Sequence, residues 1–193
     1  MKFDDVLIIN GYAGSLTIAA AGLGLPIRGS YEDDAFGIHI QKKNFPKLKY
    51  VDRLPWPRQD LRRTLVVAHP PCSAFSVQTW ANAKIHGHDP GRISGVGAAA
   101  FQCTQRVLKY AMEQNAAAVL VESVTGALEG ARAIHDGYAA AHGYGLFRIL
   151  QNAAAFGAPQ WRERFWAVFM RDDARMRLNY APEFVVLRDA LGW

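Results

Sequence analysis

The sequence predicts an α/β fold built on an open, mainly parallel sheet. Three observations predict it. Short runs of consecutive apolar residues, Val6-Leu7-Ile8-Ile9, Leu65-Val66-Val67-Ala68 and Ala116-Ala117-Ala118-Val119-Leu120-Val121, have the pattern of strands covered on both faces. Helix-forming segments separate them, as crossovers between parallel strands require. Each run is followed at once by residues able to do chemistry: a glycine turn, a Pro-Pro-Cys turn and a glutamate. Parallel strands bring the cysteine and the glutamate to one edge of the sheet, where ligands of open α/β sheets bind.

Bulk properties narrow the class. The 193 residues suffice for one domain with a sizeable core, half of them hydrophobic and a fifth charged. A formal charge of +5 suits a polyanionic partner without requiring one. Two cysteines, Cys72 and Cys103, make no disulfide framework, so a reducing, cytoplasmic setting is expected. Residues 1–5 do not begin a signal peptide, and the Ala/Gly-rich stretch 18–25 is too short to span a membrane. No repeat, low-complexity run or dividing linker is evident.

In chain order, strand 6–9 leads into the turn Asn10-Gly11-Tyr12-Ala13-Gly14-Ser15 and a helix over 16–23, with Ser15 as its expected N-cap. Glycines permit close backbone approach to a ligand, and a helix start presents free N–H groups. Residues 26–31 suit a second strand, followed by Glu32. An acid about 20 residues after a glycine turn commonly meets a ribose hydroxyl pair; Glu32 equally suits a helix-start charge with Asp33 and Asp34. A helix over 34–43, a strand over 48–52 ending in Asp52, and a Pro-containing connection over 54–63 come next.

Strand 65–68 then meets Pro70 and Pro71, which stop it and stiffen the turn carrying Cys72. A thiolate held there is a candidate nucleophile; the alternative is a small buried apolar side chain. Residues 77–97 form a long polar segment suited to a mobile loop. It holds His86, His88 and Asp89, but metal ligation is not expected, for want of companion ligands at metal spacing. A helix over 98–114 contains Cys103 as a packing residue, and strand 116–121 runs into Glu122-Ser123-Val124. Carboxyl groups in apolar settings hold protons more tightly, which suits Glu122 as an acid; capping a helix over 126–142 is its other reading. A strand over 144–150, a connection over 151–159 and a strand over 165–170 complete the pattern. Arg162 and Arg164, two apart at that last strand's entrance, share one face.

Taken together, these residues resemble the DNA cytosine-5 methyltransferase family. The resemblance rests on ordered motifs over nearly the whole chain: Tyr12-Ala13-Gly14, Glu32, Asn44-Phe45 with Asp52, Pro71-Cys72-Ser73 with Phe75-Ser76, Asp89 to Arg92, Glu122-Ser123-Val124, and Asn152 through Gln160-Trp161-Arg162-Glu163-Arg164. It implies a Rossmann-like methyltransferase fold, a mainly parallel seven-stranded sheet with helices on both faces and an antiparallel last strand pair. It implies S-adenosyl-L-methionine as cofactor, held by Tyr12, Ala13, Gly14, Glu32, Asp52 and Pro70, and DNA as partner, with no metal. By the same resemblance Cys72 is the nucleophile, Glu122 holds ring nitrogen 3, Arg162 contacts the base and Arg164 supports.

Three departures stand out. Leu16 and Thr17 replace the family's further glycines, Ser123 replaces the asparagine of its Glu-Asn-Val motif, and the chain stops where a target-recognition region would begin. The expectation is therefore a single catalytic domain over 1–193, complete or drawing on a second polypeptide for recognition. Methylation of RNA or a free pyrimidine nucleotide, and a non-catalytic relative that binds nucleic acid or protein, are the competing readings.

Overall fold

In the computed structural model, residues 2–51, 59–72, 75–76 and 95–171 are described. The apolar runs pair into one seven-stranded sheet. Its strands are β1 (Asp5–Ile9), β2 (Ile27–Tyr31), β3 (Tyr50–Val51), β4 (Thr64–Ala68), β5 (Ala118–Ser123), β6 (Tyr144–Asn152) and β7 (Glu163–Arg171). The spatial order is β3-β2-β1-β4-β5-β7-β6. Strands β1 to β5 are parallel, and β7 runs antiparallel to both β5 and β6. The order reverses between β1 and β4, so the turns after these two strands flank a switch-point crevice.

Period-two alternation along the strands divides the core. Val119 and Val121 of β5 join Leu7, Ile9 and Val66 beneath helix α3 (Gly95–Glu113) and helix α5 (Arg132–His142). On the other face Val6, Ile8, Leu65 and Ala118 pack with Ala20 of helix α1 (Ser15–Gly22). Helix α3 buries Ala100, Cys103, Val107, Leu108 and Ala111, the stripe of a one-sided helix. Helices thus cover both faces, as expected.

Several local expectations change. Ser15 is the first helical residue rather than the N-cap; Gly14 caps α1 at φ +101°, a left-handed conformation suited to glycine. Helix α2 spans Ala35–Asn44, and the Oδ1 of its N-cap Asp34 accepts from Gly37 N at 2.7 Å. The third strand is shorter than the expected 48–52, and the last two are longer. The helix expected over 126–142 is two: α4 (Ala127–Gly130) and α5, parted at Ala131. The break lets the segment seat against the turn after Cys72. A Cβ on Gly126 would lie 2.2 Å from the Phe75 carbonyl oxygen, and one on Gly130 would lie 2.7 Å from the Phe75 ring. Cys103 is buried packing, as expected, and its thiol also donates to Asn10 Oδ1.

Candidate active site

Sheet register builds the site. Ala68 of β4 pairs with Val121 of β5, so the next residues, His69 and Glu122, emerge side by side. His69 Nε2 lies 3.1 Å from Glu122 Oε2. Glu122 in turn pairs with Trp166 of β7, which places Arg164 diagonally across on the same face, within reach of a long side chain. Arg164 Nε meets Glu122 Oε1 at 2.9 Å. Each carboxylate oxygen of Glu122 therefore has its own nitrogen partner, in a residue only 9% exposed. The carboxylate faces those two side chains rather than the start of α4, whose N-cap Gly126 has no side-chain cap.

The nucleophile candidate sits on the neighbouring turn. His69 N donates to Ile9 O, which carries the chain one residue past β4. Pro70 is buried, Cys72 is half-buried, and Phe75 N donates to Cys72 O at 2.9 Å. Phe75 then plugs into the core against Phe101, with ring centroids 5.0 Å apart. The turn bearing Cys72 is thus anchored at both ends.

Arg162 stands one same-face step beyond Arg164. Its N–H and the Ala154 N–H both point at Asn152 Oδ1, and its carbonyl accepts from Ala153 N. The backbone of the arginine pair is therefore tied to the 3-10 turn Ala153–Phe156. Both arginines line a cavity of about 550 Å³ floored by Leu120, Ile149, Trp166 and Val168. The sequence expectation that the two share a face holds, but only Arg164 touches Glu122.

The cofactor-binding candidates gather at the ends of β1 and β2. Glu32, 3% exposed, accepts from Tyr12 N at 2.6 Å on one oxygen and from Asp33 N and Asp34 N on the other. Burial pushes its carboxyl above the ordinary value, against those backbone hydrogen bonds. Tyr12 O accepts from Gln41 Nε2 at 2.6 Å, and Gln41 Oε1 accepts from Ser30 Oγ. Clamped on both sides, Tyr12 is held at φ +46°, an uncommon conformation for a bulky residue. Its ring is half exposed, 6.1 Å from that of Phe36. Asn10 Nδ2 and Tyr31 Oη both donate to Asp33, tying the two strand ends together. A carboxylate has about four lone-pair directions. Among the described residues three donors meet Glu32, which leaves room for a hydroxyl.

Sequence reasoning missed His69 and Gln41. The only local signal for His69 was its place in the turn that carries Cys72; for Gln41 there was none. Asp52, Ser73 and the Asp89 to Arg92 stretch lie outside the described residues. Among the described residues no cluster of three or more His, Cys, Asp or Glu is placed to hold a metal ion. No described helix is long and apolar enough to cross a membrane.

The sequence matches the family described as C-5 cytosine-specific DNA methylase over residues 8–189. The chain belongs to this family. Among curated proteins the sequence finds no match. Among solved structures, a protein described as a DNA modification methyltransferase encoded within an E. coli prophage is similar at TM-score 0.71 and 19% identity, covering 97% of this chain and 54% of that one. The Entamoeba histolytica methyltransferase EhMeth is similar at TM-score 0.68 and 15% identity, covering 95% and 58%. The Schizosaccharomyces pombe Dnmt2 methyltransferase (TM-score 0.64, 20% identity) is covered over 52% of its length by 91% of this chain. These likenesses establish a methyltransferase fold, and the chain spans about half the length of the structures it matches.

Proposed function

We propose that this chain transfers a methyl group to carbon 5 of cytosine in DNA through a transient covalent bond from Cys72. The observation that carries the reading is Glu122, a nearly buried carboxyl held from both oxygens at the sheet edge, one strand from the Pro-Pro-Cys turn. Carbon 5 of cytosine is a poor nucleophile. When the Cys72 thiolate adds to carbon 6 and nitrogen 3 takes a proton from Glu122, carbon 5 becomes electron-rich. The new methyl enters there, the carbon-5 proton leaves to a base, and the thiolate is expelled as nitrogen 3 returns its proton to Glu122. Arg164 holds the carboxyl in register, and Arg162 at the cavity rim suits contact with the nucleic acid. A base within a duplex is out of reach of this edge and must be swung out of the stack.

S-adenosyl-L-methionine, the family's usual cofactor, supplies an electrophilic methyl when bound. The Tyr12-Ala13-Gly14 turn, Glu32 and buried Pro70 are the described residues that would hold it. The place of the Glu32 carboxyl, bonded to Tyr12 N at the end of β2, supports a ribose hydroxyl there.

The test is a covalent trap. The chain is mixed with S-adenosyl-L-methionine and duplex DNA containing 5-fluorocytosine, which blocks release of the carbon-5 substituent, and Cys72 is examined by peptide mass spectrometry. A DNA adduct on Cys72 that is lost in C72A is expected. Cofactor binding without an adduct on duplex DNA, but with one on fluorinated RNA or nucleotide, would move the substrate to those classes. Restoration of the adduct by an added polypeptide would assign recognition to a partner. Neither cofactor binding nor adduct would refute the enzymatic reading.

A further inference from the structure

We propose that His69 is a positioning residue that loads the Glu122 carboxyl with the proton it gives to the base. The inference rests on the cytosine-5 reading above and assigns a role in it to a side chain of the Pro-Pro-Cys turn. Arg164 Nε occupies Oε1 of Glu122 at 2.9 Å. A guanidinium has only donors, so Oε1 is fixed as an acceptor and the proton of a neutral carboxyl must sit on Oε2. The group against Oε2 is His69 Nε2, at 3.1 Å.

Among ordinary side chains, imidazole is the one suited to exchanging protons with water near neutral pH. The His69 side chain is 35% exposed, against 12% for that of Glu122. His69 thus has a path to solvent that Glu122 largely lacks, and the path matters most once a base lies over the carboxyl. Among the described residues, Arg164 from β7 faces Glu122 of β5, and Cys72 lies three residues along the turn from His69. His69 N is fixed to Ile9 O, so the ring projects from a held backbone position.

The proton count closes. As Cys72 adds, an imidazolium at His69 passes its Nε2 proton to Glu122 Oε2 and becomes neutral, and Glu122 hands a proton to nitrogen 3. When the thiolate leaves, nitrogen 3 returns the proton to Glu122, and Glu122 returns it to His69. Over one turnover the pair gains and loses nothing, and the only proton released is the one displaced from carbon 5.

The experiment measures steady-state methyl transfer to unmethylated bacteriophage DNA by the full chain and by H69Q and H69A. Glutamine keeps a hydrogen-bond donor near Oε2 but has no proton to supply. H69Q is expected to lose tenfold or more in kcat at neutral pH, with KM for DNA and for S-adenosyl-L-methionine within twofold. H69A is expected to regain activity on adding imidazole, in proportion to the imidazolium fraction as pH is varied. Wild-type kcat in H69Q, or no response of H69A to imidazole while it still binds cofactor, would overturn the inference and leave the functional reading standing. A wild-type chain that forms no Cys72 adduct and transfers no methyl to any nucleic acid would overturn both.

Discussion

Acid should destabilise this fold through one histidine distant from the chemistry. His135 of α5 is 1% exposed and lies against the rings of Phe165 and Phe169, at centroid distances of 5.9 and 5.6 Å. Neither ring nitrogen has a hydrogen-bond partner among the described residues. Burial, followed by the nearby Arg148 charge, lowers its pKa from 6.5 to about 4. The unfolded chain takes up this proton near pH 6.5 and the native chain does not until about pH 4. Stability is therefore full above 6.5 and falls as pH drops through that window. The gap, at ~1.4 kcal/mol per pH unit, comes to about 3 kcal/mol lost by pH 4. Carboxylates held low by arginine, such as Glu129 beside Arg132 and Asp136 beside Arg148, begin to lose their contribution only at the acid end of this window. Glu32, raised by burial, acts with the opposite sign above its ordinary value and is common to wild type and variant. The assay is urea unfolding followed by tryptophan fluorescence at half-unit steps from pH 7.5 to 4, for wild type and His135→Leu. The variant should match or exceed wild type at neutral pH, because two unpaired buried polar atoms are removed, and should lose about 3 kcal/mol less on acidification. Identical slopes for the two proteins between pH 6.5 and 4 would refute the reasoning.

Three further outcomes are expected. Gly126→Ala should cost ~1–3 kcal/mol in thermal or denaturant melts and suppress the Cys72 adduct, because its methyl would stand 2.2 Å from the Phe75 carbonyl oxygen and push the nucleophile turn aside. Gln41→Ala should remove the clamp on Tyr12 O and the partner of Ser30 Oγ; calorimetry should find weaker S-adenosyl-L-methionine binding and ~1–3 kcal/mol less stability. Iodoacetamide at pH 7.5 should alkylate half-buried Cys72 and spare Cys103 in the native protein, as peptide mapping would reveal, because Cys103 is 3% exposed with its thiol pushed up to about 11 by burial.

The sequence by itself determined the elements and the chemistry of their ends. Uninterrupted apolar runs specify doubly covered strands, and a parallel sheet must collect their carboxyl ends on one edge, so Cys72 and Glu122 were legible as neighbours, while Tyr12 and Glu32 followed from the family resemblance. Proline and glycine chemistry also marked the turns. What only the tertiary structure decided is which side chains touch. Period-two alternation says that Arg162 and Arg164 share a face. The antiparallel register of β5 with β7 decides that Arg164 is the one diagonal to Glu122. The parallel register of β4 with β5 puts His69 beside the same carboxylate, a contact spanning 53 positions that no local pattern encodes. The same holds for the split at Ala131, where Gly126 and Gly130 make room for Phe75, and for Gln41 reaching back to Tyr12. Propensity and periodicity act over a few residues, whereas register and close packing are set by every strand and side chain at once.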